Sequence, residues 1–182
     1  MQVRHLTVEQ IEAGMGNVLA SPQDLGRLET LVIRPGPDQR EICESVYLSP
    51  EGGVKGDRWA LSKGKDGKPD PRSQISVMNA RLLRMIAGDE KRMALAGDNL
   101  IVDLDLSTDN LPVGQKLAVG EAVLEVTDLP HTGCGKFAER FGQDALRYIN
   151  AAEHRSLRLR GLYVRVLKAG TVQTGDVIRK MD

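Results

Sequence analysis

The chain has 182 residues, and its 25 lysines and arginines are balanced by 25 aspartates and glutamates. This neutral charge and the low aromatic content argue against a nucleic-acid surface or an anionic membrane as partner, and no apolar run approaches the roughly 20 residues of a membrane span. Two cysteines without a C-x-x-C spacing predict neither a disulfide framework nor a structural zinc site. We therefore expect one compact domain, a cytoplasmic location, and no nucleic-acid or membrane partner.

The N-terminal segment predicts a short helix before the main fold. Thr7 is a typical helix N-cap, and Val8, Ile11 and Met15 share one side of the helix that follows. We expect residues 1–25 to be a helical appendage and residues 26–182 to form a single domain. From Gly26 onward, alternating apolar residues predict a buried strand, and residues 42–48 predict a second one.

The run Gly56-Asp57-Arg58-Trp59 allows two interpretations. In one, the Asp57 side chain closes a turn and an arginine stacks on the tryptophan. In the other, Arg58 binds an anion. A polar loop over residues 62–73 follows, and it is either a lid over a site or a solvated connection.

The remaining segments predict strands joined by glycine turns, with a few helices. Ile75–Val77 predicts a strand, residues 78–86 an amphipathic helix that ends at Gly88, and residues 98–106 another strand. Alternation continues in a hairpin over residues 116–127 and in a strand that begins at residue 162. After a turn at Ala169-Gly170, residues 172–178 predict another hairpin. The fold class that this pattern predicts is mainly β, a closed β-barrel with peripheral α-helices.

Cys134 is the residue most suited to chemistry. It lies between Gly133 and Gly135, so no neighbouring Cβ shields its sulfur, and an amphipathic helix with Phe137 follows directly. A helix N-terminus and the nearby Lys136 favour the thiolate, and His131 is close enough in sequence to exchange a proton. The alternative is that Cys134 is a small apolar filler, since free cysteine is often buried.

A group of basic residues lies near the C-terminus. Its members are Arg147, His154, Arg155, Arg158 and Arg160. They are either solvated surface charge or a pocket for a phosphate or another oxoanion.

Taken in order, several short motifs resemble the MOSC domain, the family named for the C-terminal part of molybdenum-cofactor sulfurases. The motifs are Gly56-Asp57-Arg58-Trp59, Gln74-Ile75-Ser76, Gly97-Asp98-Asn99-Leu100, Cys134, the run from Arg160 to Val166, and Gly175-Asp176. The resemblance implies a closed barrel and the molybdenum cofactor (molybdopterin) rather than pyridoxal phosphate. It also implies Cys134 as the molybdenum ligand.

The same resemblance implies roles for further residues. Cys134, His131 and Lys136 would be catalytic, the last two by supplying protons. Asp57, Arg58, Asn99, Arg158 and Arg160 would bind the cofactor, the arginines through its phosphate and oxo groups and Asn99 through an amide offered to the pterin.

Three functions remain open. The first is a small reductase of N-hydroxylated compounds, which takes electrons from a donor protein and acts on a small-molecule substrate. The second is a non-enzymatic sulfur carrier that receives a persulfide sulfur on Cys134 from a donor protein, or a related cofactor-handling module. The third is an interaction barrel in which Cys134 is inert.

Overall fold

A computed structural model describes residues 4–182. Its α-helices are α1 (Val8–Leu19), α2 (Ala80–Ala87), α3 (Glu90–Met93), α4 (Gly135–Phe141) and α5 (Gln143–Asn150), with 3-10 turns at Arg58–Leu61, Pro71–Ser73, Ala94–Ala96 and Ala152–Leu157. Across the described residues, no helix has the length and apolar character needed to cross a bilayer.

The strands are short and follow one another closely. They are β1 (Gly26–Ile33), β2 (Glu41–Cys43), β3 (Ser45–Ser49), β4 (Gly53–Val54), β5 (Ile75–Asn79), β6 (Leu100–Asp103), β7 (Lys116–Val119), β8 (Ala122–Val126), β9 (Leu162–Lys168), β10 (Gly170–Gln173) and β11 (Val177–Met181).

Seven of these strands close into a barrel, as the sequence pattern predicts. The order is β1-β11-β7-β8-β9-β5-β6, and β6 pairs with β1 to complete the ring. β5 and β6 run parallel, because α2 and α3 carry the chain back between them. β2 extends the sheet from β1, and β10, β3 and β4 form a small separate sheet.

Two predictions about strand pairing are wrong. The residues expected to form one strand over 42–48 form β2 and β3, which belong to different sheets. The expected hairpin within residues 172–178 does not form either, since β10 pairs with β3 while β11 pairs with β7 and β1. Alternation of apolar residues predicts where a strand lies, but it does not specify the partner strand.

Two apolar clusters hold the fold together. One fills the barrel and includes Leu28, Ile75 and Val164. The other lies beneath the helices and includes Ile11 of α1 and Phe141 of α4. Each fully buried aliphatic or aromatic side chain of this kind contributes about 1.5–3 kcal/mol. The N-terminal helix therefore packs into the helical layer that also carries the cysteine loop.

Candidate functional site

The cysteine loop joins β8 to α4 and is held against α5. The Asn150 side chain accepts a hydrogen bond from Gly133 N at 2.9 Å and donates one to Gly133 O at 3.1 Å. A Cβ at Gly133 would come within 2.6 Å of Leu146 Cδ1, whereas one at Gly135 would meet nothing within 4 Å. Gly133 thus permits close packing on α5, and Cys134, the residue before α4, remains exposed.

A cavity of about 140 Å³ lies beside Cys134. Besides Cys134, its lining consists of Arg34, Arg40, Arg58, Ser76, Ala96, Gly97, Asp98, His131, Lys136, Phe137, Arg140, Arg160 and Tyr163. The lining of this cavity therefore contains five arginines and one lysine but a single carboxylate, that of Asp98. A second cavity of about 600 Å³ shares Arg34, Arg58 and Tyr163 with the first.

A buried polar trio forms one wall of the smaller cavity. Arg160 Nη1 donates to Asp98 Oδ2 at 2.7 Å, and His131 Nδ1 lies 3.7 Å from Asp98 Oδ1. His131 also stacks on Tyr163, with ring centroids 4.3 Å apart. Asp98 Oδ1, His131 Nδ1 and Arg160 Nε are buried without a hydrogen-bond partner in the described chain. Burying a polar atom without a hydrogen bond destabilises the fold, so a polar ligand or water that binds at this wall would be stabilised by these three atoms.

Burial lowers the pKa of His131 to about 4, and the positive charges of Arg160 and Arg34 add to this effect against the opposing attraction of Asp98. The imidazole is therefore neutral at physiological pH. It can accept a proton or donate a single N–H, but it carries no positive charge.

The other basic side chains of the cavity differ in whether an acidic side chain pairs with them. Arg34 pairs with Asp57 at 2.9 Å, and Asp38 receives both Lys136 at 2.7 Å and Arg140 at 3.3 Å. Arg40 and Arg58 form no ion pair within residues 4–182, and the buried Nε of Arg40 lacks an acceptor. Burial, followed by repulsion from Arg140, Arg34 and Arg58, lowers the pKa of Arg40. This excess of positive charge suits an anionic ligand.

Asp57 and Asn99, both predicted to bind the cofactor, form a buried hydrogen-bond network with Arg34. The Asp57 carboxylate accepts hydrogen bonds from Arg34, from Trp59 N and from Asn99. Although burial disfavours its charge, the Arg34 hydrogen bonds hold the pKa of Asp57 below its usual range. The amide of Asn99 is equally engaged, with Nδ2 donating to Val32 O and Asp57, and Oδ1 accepting from Ser76. Each polar atom of the two side chains thus has a partner within residues 4–182, and their role in cofactor binding stays a prediction.

The other predicted residues divide between two places. His131, Cys134, Lys136, Arg58 and Arg160 all line the cysteine cavity. Arg158, together with His154 and Arg155, instead lines a different cavity of about 470 Å³, and Arg147 pairs with Asp144 on the surface. Arg160 lines this cavity as well, so four of the five C-terminal basic residues share it, and Arg160 is the one of them that also lines the cysteine cavity.

Sequence reasoning missed Arg34, Arg40 and Arg140 as members of this site. Arg140 follows Lys136 by one turn of α4, a helical spacing that places both side chains on one face. Arg34 and Arg40 lie on either side of a proline-glycine turn, and nothing in their local sequence points to a cysteine about a hundred positions away.

Comparisons with known proteins agree with this architecture. The family model described as the MOSC domain matches residues 69–179. No curated protein matches the chain.

Solved structures share the fold at low sequence identity. The YuaD protein from Bacillus subtilis is similar with a TM-score of 0.62 and 20% identity, covering 84% of this chain and 93% of its own. YiiM from Geobacillus stearothermophilus has a TM-score of 0.60 and 17% identity, covering 86% of this chain and 75% of its own. YiiM from Escherichia coli has a TM-score of 0.54 and 18% identity, covering 86% and 70%.

The family match spans more than half of the chain and includes both Cys134 and Arg160. On that basis, this protein belongs to the MOSC domain family.

Proposed function

We propose that this protein binds the molybdenum cofactor, with Cys134 as the ligand of the metal, and reduces N-hydroxylated compounds. The observation that carries the proposal is the exposed thiol of Cys134 at a cavity lined by five arginines. Thiolate sulfur is a suitable ligand for a soft metal centre, and guanidinium groups bind phosphate and oxo groups. The family is associated with this cofactor, whereas the reductase activity and the cysteine ligation are parts of our proposal.

The residues present fit such a group in three respects. Asp98 Oδ1, Arg160 Nε and Arg40 Nε are buried polar atoms without partners in residues 4–182, as expected where a polar ligand completes the site. The cavity beside Cys134 adjoins the larger one through Arg34, Arg58 and Tyr163, which leaves room for an extended molecule. Within residues 4–182, no group of three or more His, Cys, Asp or Glu could hold a metal ion by itself. A metal that arrives with most of its own ligands requires only one from the protein.

In this proposal the side chains have separate tasks. Cys134 would anchor the metal, Arg40, Arg58 and Arg160 would hold its anionic groups, and the Asp57-Arg34-Asn99 network would keep the floor of the cavity rigid. When bound, the cofactor supplies two-electron transfer.

Reduction of R–NHOH to R–NH₂ breaks the N–O bond, consumes two electrons from a partner reductant and two protons, and releases water. In this proposal Lys136 would supply protons from solvent, because its side chain is 60% exposed, whereas His131 is neutral and buried.

Metal content tests the proposal. The chain is expressed in a host that makes molybdopterin, and we expect molybdenum to approach one atom per chain after purification. The variant Cys134→Ser should lose that metal and the reduction of a model hydroxylamine by chemically reduced viologen. The matched control is Cys43→Ser, which removes the second, partly buried cysteine in β2 and should retain both. Equal molybdenum in the two variants would contradict the cysteine ligation.

The alternative proposal is a sulfur carrier, which the same exposed sulfur supports. In that case Cys134 would carry a persulfide, seen in the intact mass as an addition of about 32 Da that reduction removes. The Cys43→Ser variant should keep the adduct and Cys134→Ser should lack it. Absence of both molybdenum and persulfide would favour an interaction barrel.

A further inference from the structure

The cavity of about 470 Å³ is separate from the proposed cofactor site, although it is adjacent to it. His131 and Arg160 line both cavities, so their side chains form a shared wall. Part of the remaining lining is apolar. It includes Val113, Leu129, Pro130, Ile149, Leu159 and Leu162. A cavity of this size and character is typical of a small-molecule site.

Arg158 is one of several charged residues that line this cavity, which also include Asp128, Arg155 and Arg160. Its Nη1 donates to Leu111 O at 2.5 Å and lies 3.5 Å from Leu106 O, which holds the guanidinium in place. Its Nε and Nη2 have no acceptor in the described chain, and no carboxylate forms an ion pair with it. Burial lowers the pKa of Arg158, with no acidic side chain acting against that effect. Arg158 therefore places a fixed guanidinium at the wall of this cavity, and within residues 4–182 no carboxylate pairs with it.

The Nε–Nη2 edge of Arg158 matches a planar carboxylate. The Nε–H and one Nη2–H of arginine are parallel donors, and they donate to the two oxygens of a carboxylate in a bidentate pair. Asp128 and Arg155 also line the cavity, and their opposite charges offset each other, so that Arg158 is matched by a single negative charge on a ligand. A singly charged carboxylate thus fits better than a phosphate dianion.

We propose that this cavity binds a small aromatic or aliphatic monocarboxylate. The carboxylate would pair with the Nε–Nη2 edge of Arg158, and the apolar body would pack against Ile149, Leu159 and Leu162. This inference is independent of the molybdenum cofactor, because none of those four residues lines the cysteine cavity.

Calorimetric titration of the full chain tests the proposal with two matched probes. Indole-3-acetate carries the carboxylate, and indole-3-acetamide has nearly the same shape without the charge. We expect the acid to bind at least about tenfold more tightly than the amide, as the loss of a charged bidentate pair implies. Equal binding of the two, or no binding of either up to the solubility limit, would overturn the proposal. This comparison needs no variant, so it stands even if a substitution impairs folding.

The variant Arg158→Asn removes the guanidinium from a residue whose φ of 48° and ψ of 48° are left-handed, a conformation that asparagine tolerates. The Arg158→Asn variant should bind indole-3-acetate and indole-3-acetamide with equal affinity. Arg147→Asn is the control, since Arg147 is exposed and pairs with Asp144 outside the cavity, and it should leave the preference unchanged. A preference that survives Arg158→Asn would contradict the assignment, and tighter binding of phenyl phosphate than of indole-3-acetate would overturn the ligand class.

Discussion

His131 Nδ1 lies 3.7 Å from Asp98 Oδ1, and neither atom has a hydrogen-bond partner in residues 4–182. The separation is too long for a hydrogen bond, yet both groups are buried at the wall of the cysteine cavity. The other oxygen of Asp98 accepts a hydrogen bond from Arg160 Nη1 at 2.7 Å. A small polar group placed between His131 Nδ1 and Asp98 Oδ1 would form hydrogen bonds with both atoms.

The variant Asp98→Asn should destabilise the protein strongly. It leaves the buried guanidinium of Arg160 without a counter-charge, and breaking a buried pair in this way typically costs about 3–5 kcal/mol. The double variant Asp98→Asn with Arg160→Gln should be more stable than the single one, because the unpaired charge is gone. Urea unfolding at neutral pH measures both. A double variant whose loss equals the sum of the two single losses would show that the pair is not coupled.

Acid should weaken the fold through His131. Its pKa is about 4 in the folded chain and near 6.5 when exposed, so between these values the unfolded state binds the extra proton. The stabilisation from neutral His131 is complete above its pKa in the unfolded chain, and it declines as the pH falls toward its pKa in the folded chain. We expect a loss of about 2 kcal/mol from His131 between about pH 7 and about pH 5.

The control for this effect is His131→Phe, which keeps a ring against Tyr163 and removes the titrating group. Urea unfolding of both proteins across this pH range isolates the contribution of His131 from that of other acids and histidines. If the two proteins lost stability in parallel, the buried neutral imidazole would not be the cause.

The two glycines that flank Cys134 should respond differently to alanine. Gly133→Ala places a Cβ 2.6 Å from Leu146 Cδ1 and 3.0 Å from Ile149 Cδ1, so the ends of these two side chains must move, at a cost of about 0.5–1.5 kcal/mol. Gly135→Ala meets open space at the first residue of α4 and should be neutral or stabilising by up to about 1 kcal/mol.

Thermal unfolding measures the stabilities of the two glycine variants, and the alkylation rate of Cys134 reports the loop. We expect a changed rate in Gly133→Ala, because the clamp from Asn150 depends on the position of Gly133. A larger destabilisation in Gly135→Ala would contradict the packing argument.

Arg40→Gln should reduce cofactor retention if the proposed function holds. Arg40 lies against Gly97 at the cavity, has an unsatisfied buried Nε and no ion-pair partner in the described chain, so its charge is available to an anion. One lost charge-assisted hydrogen bond corresponds to roughly tenfold or more in affinity. The molybdenum content after dialysis provides the measurement.

Arg165→Gln is the matched control for Arg40→Gln. Arg165 belongs to β9, is exposed, and pairs with Glu125 away from the cavity. It should retain the cofactor as the unmodified chain does. Equal losses in both variants would indicate a general effect of surface charge.

Local patterns in the sequence determined much of the architecture. Alternating apolar residues predicted β1 and the β7–β8 hairpin, and helical spacing with Gly88 at the end predicted α2, because these features depend on residues within one or two turns of each other. The same holds for Cys134, whose place between two glycines before an amphipathic helix predicted its exposure.

Only the tertiary structure determines which charged side chains line the cavity beside the Cys134 thiol. Arg34 and Arg40 come from the segment between β1 and β2, and they reach Cys134 only because β6 pairs with β1 while β5 pairs with β6. Arg158 and Arg160 are neighbours in sequence, yet the left-handed backbone at Arg158 and at Gly161 turns the chain so that only Arg160 reaches the thiol. Side chains converge through strand pairing across long sequence separations, and a pattern within a short stretch of sequence does not contain that information.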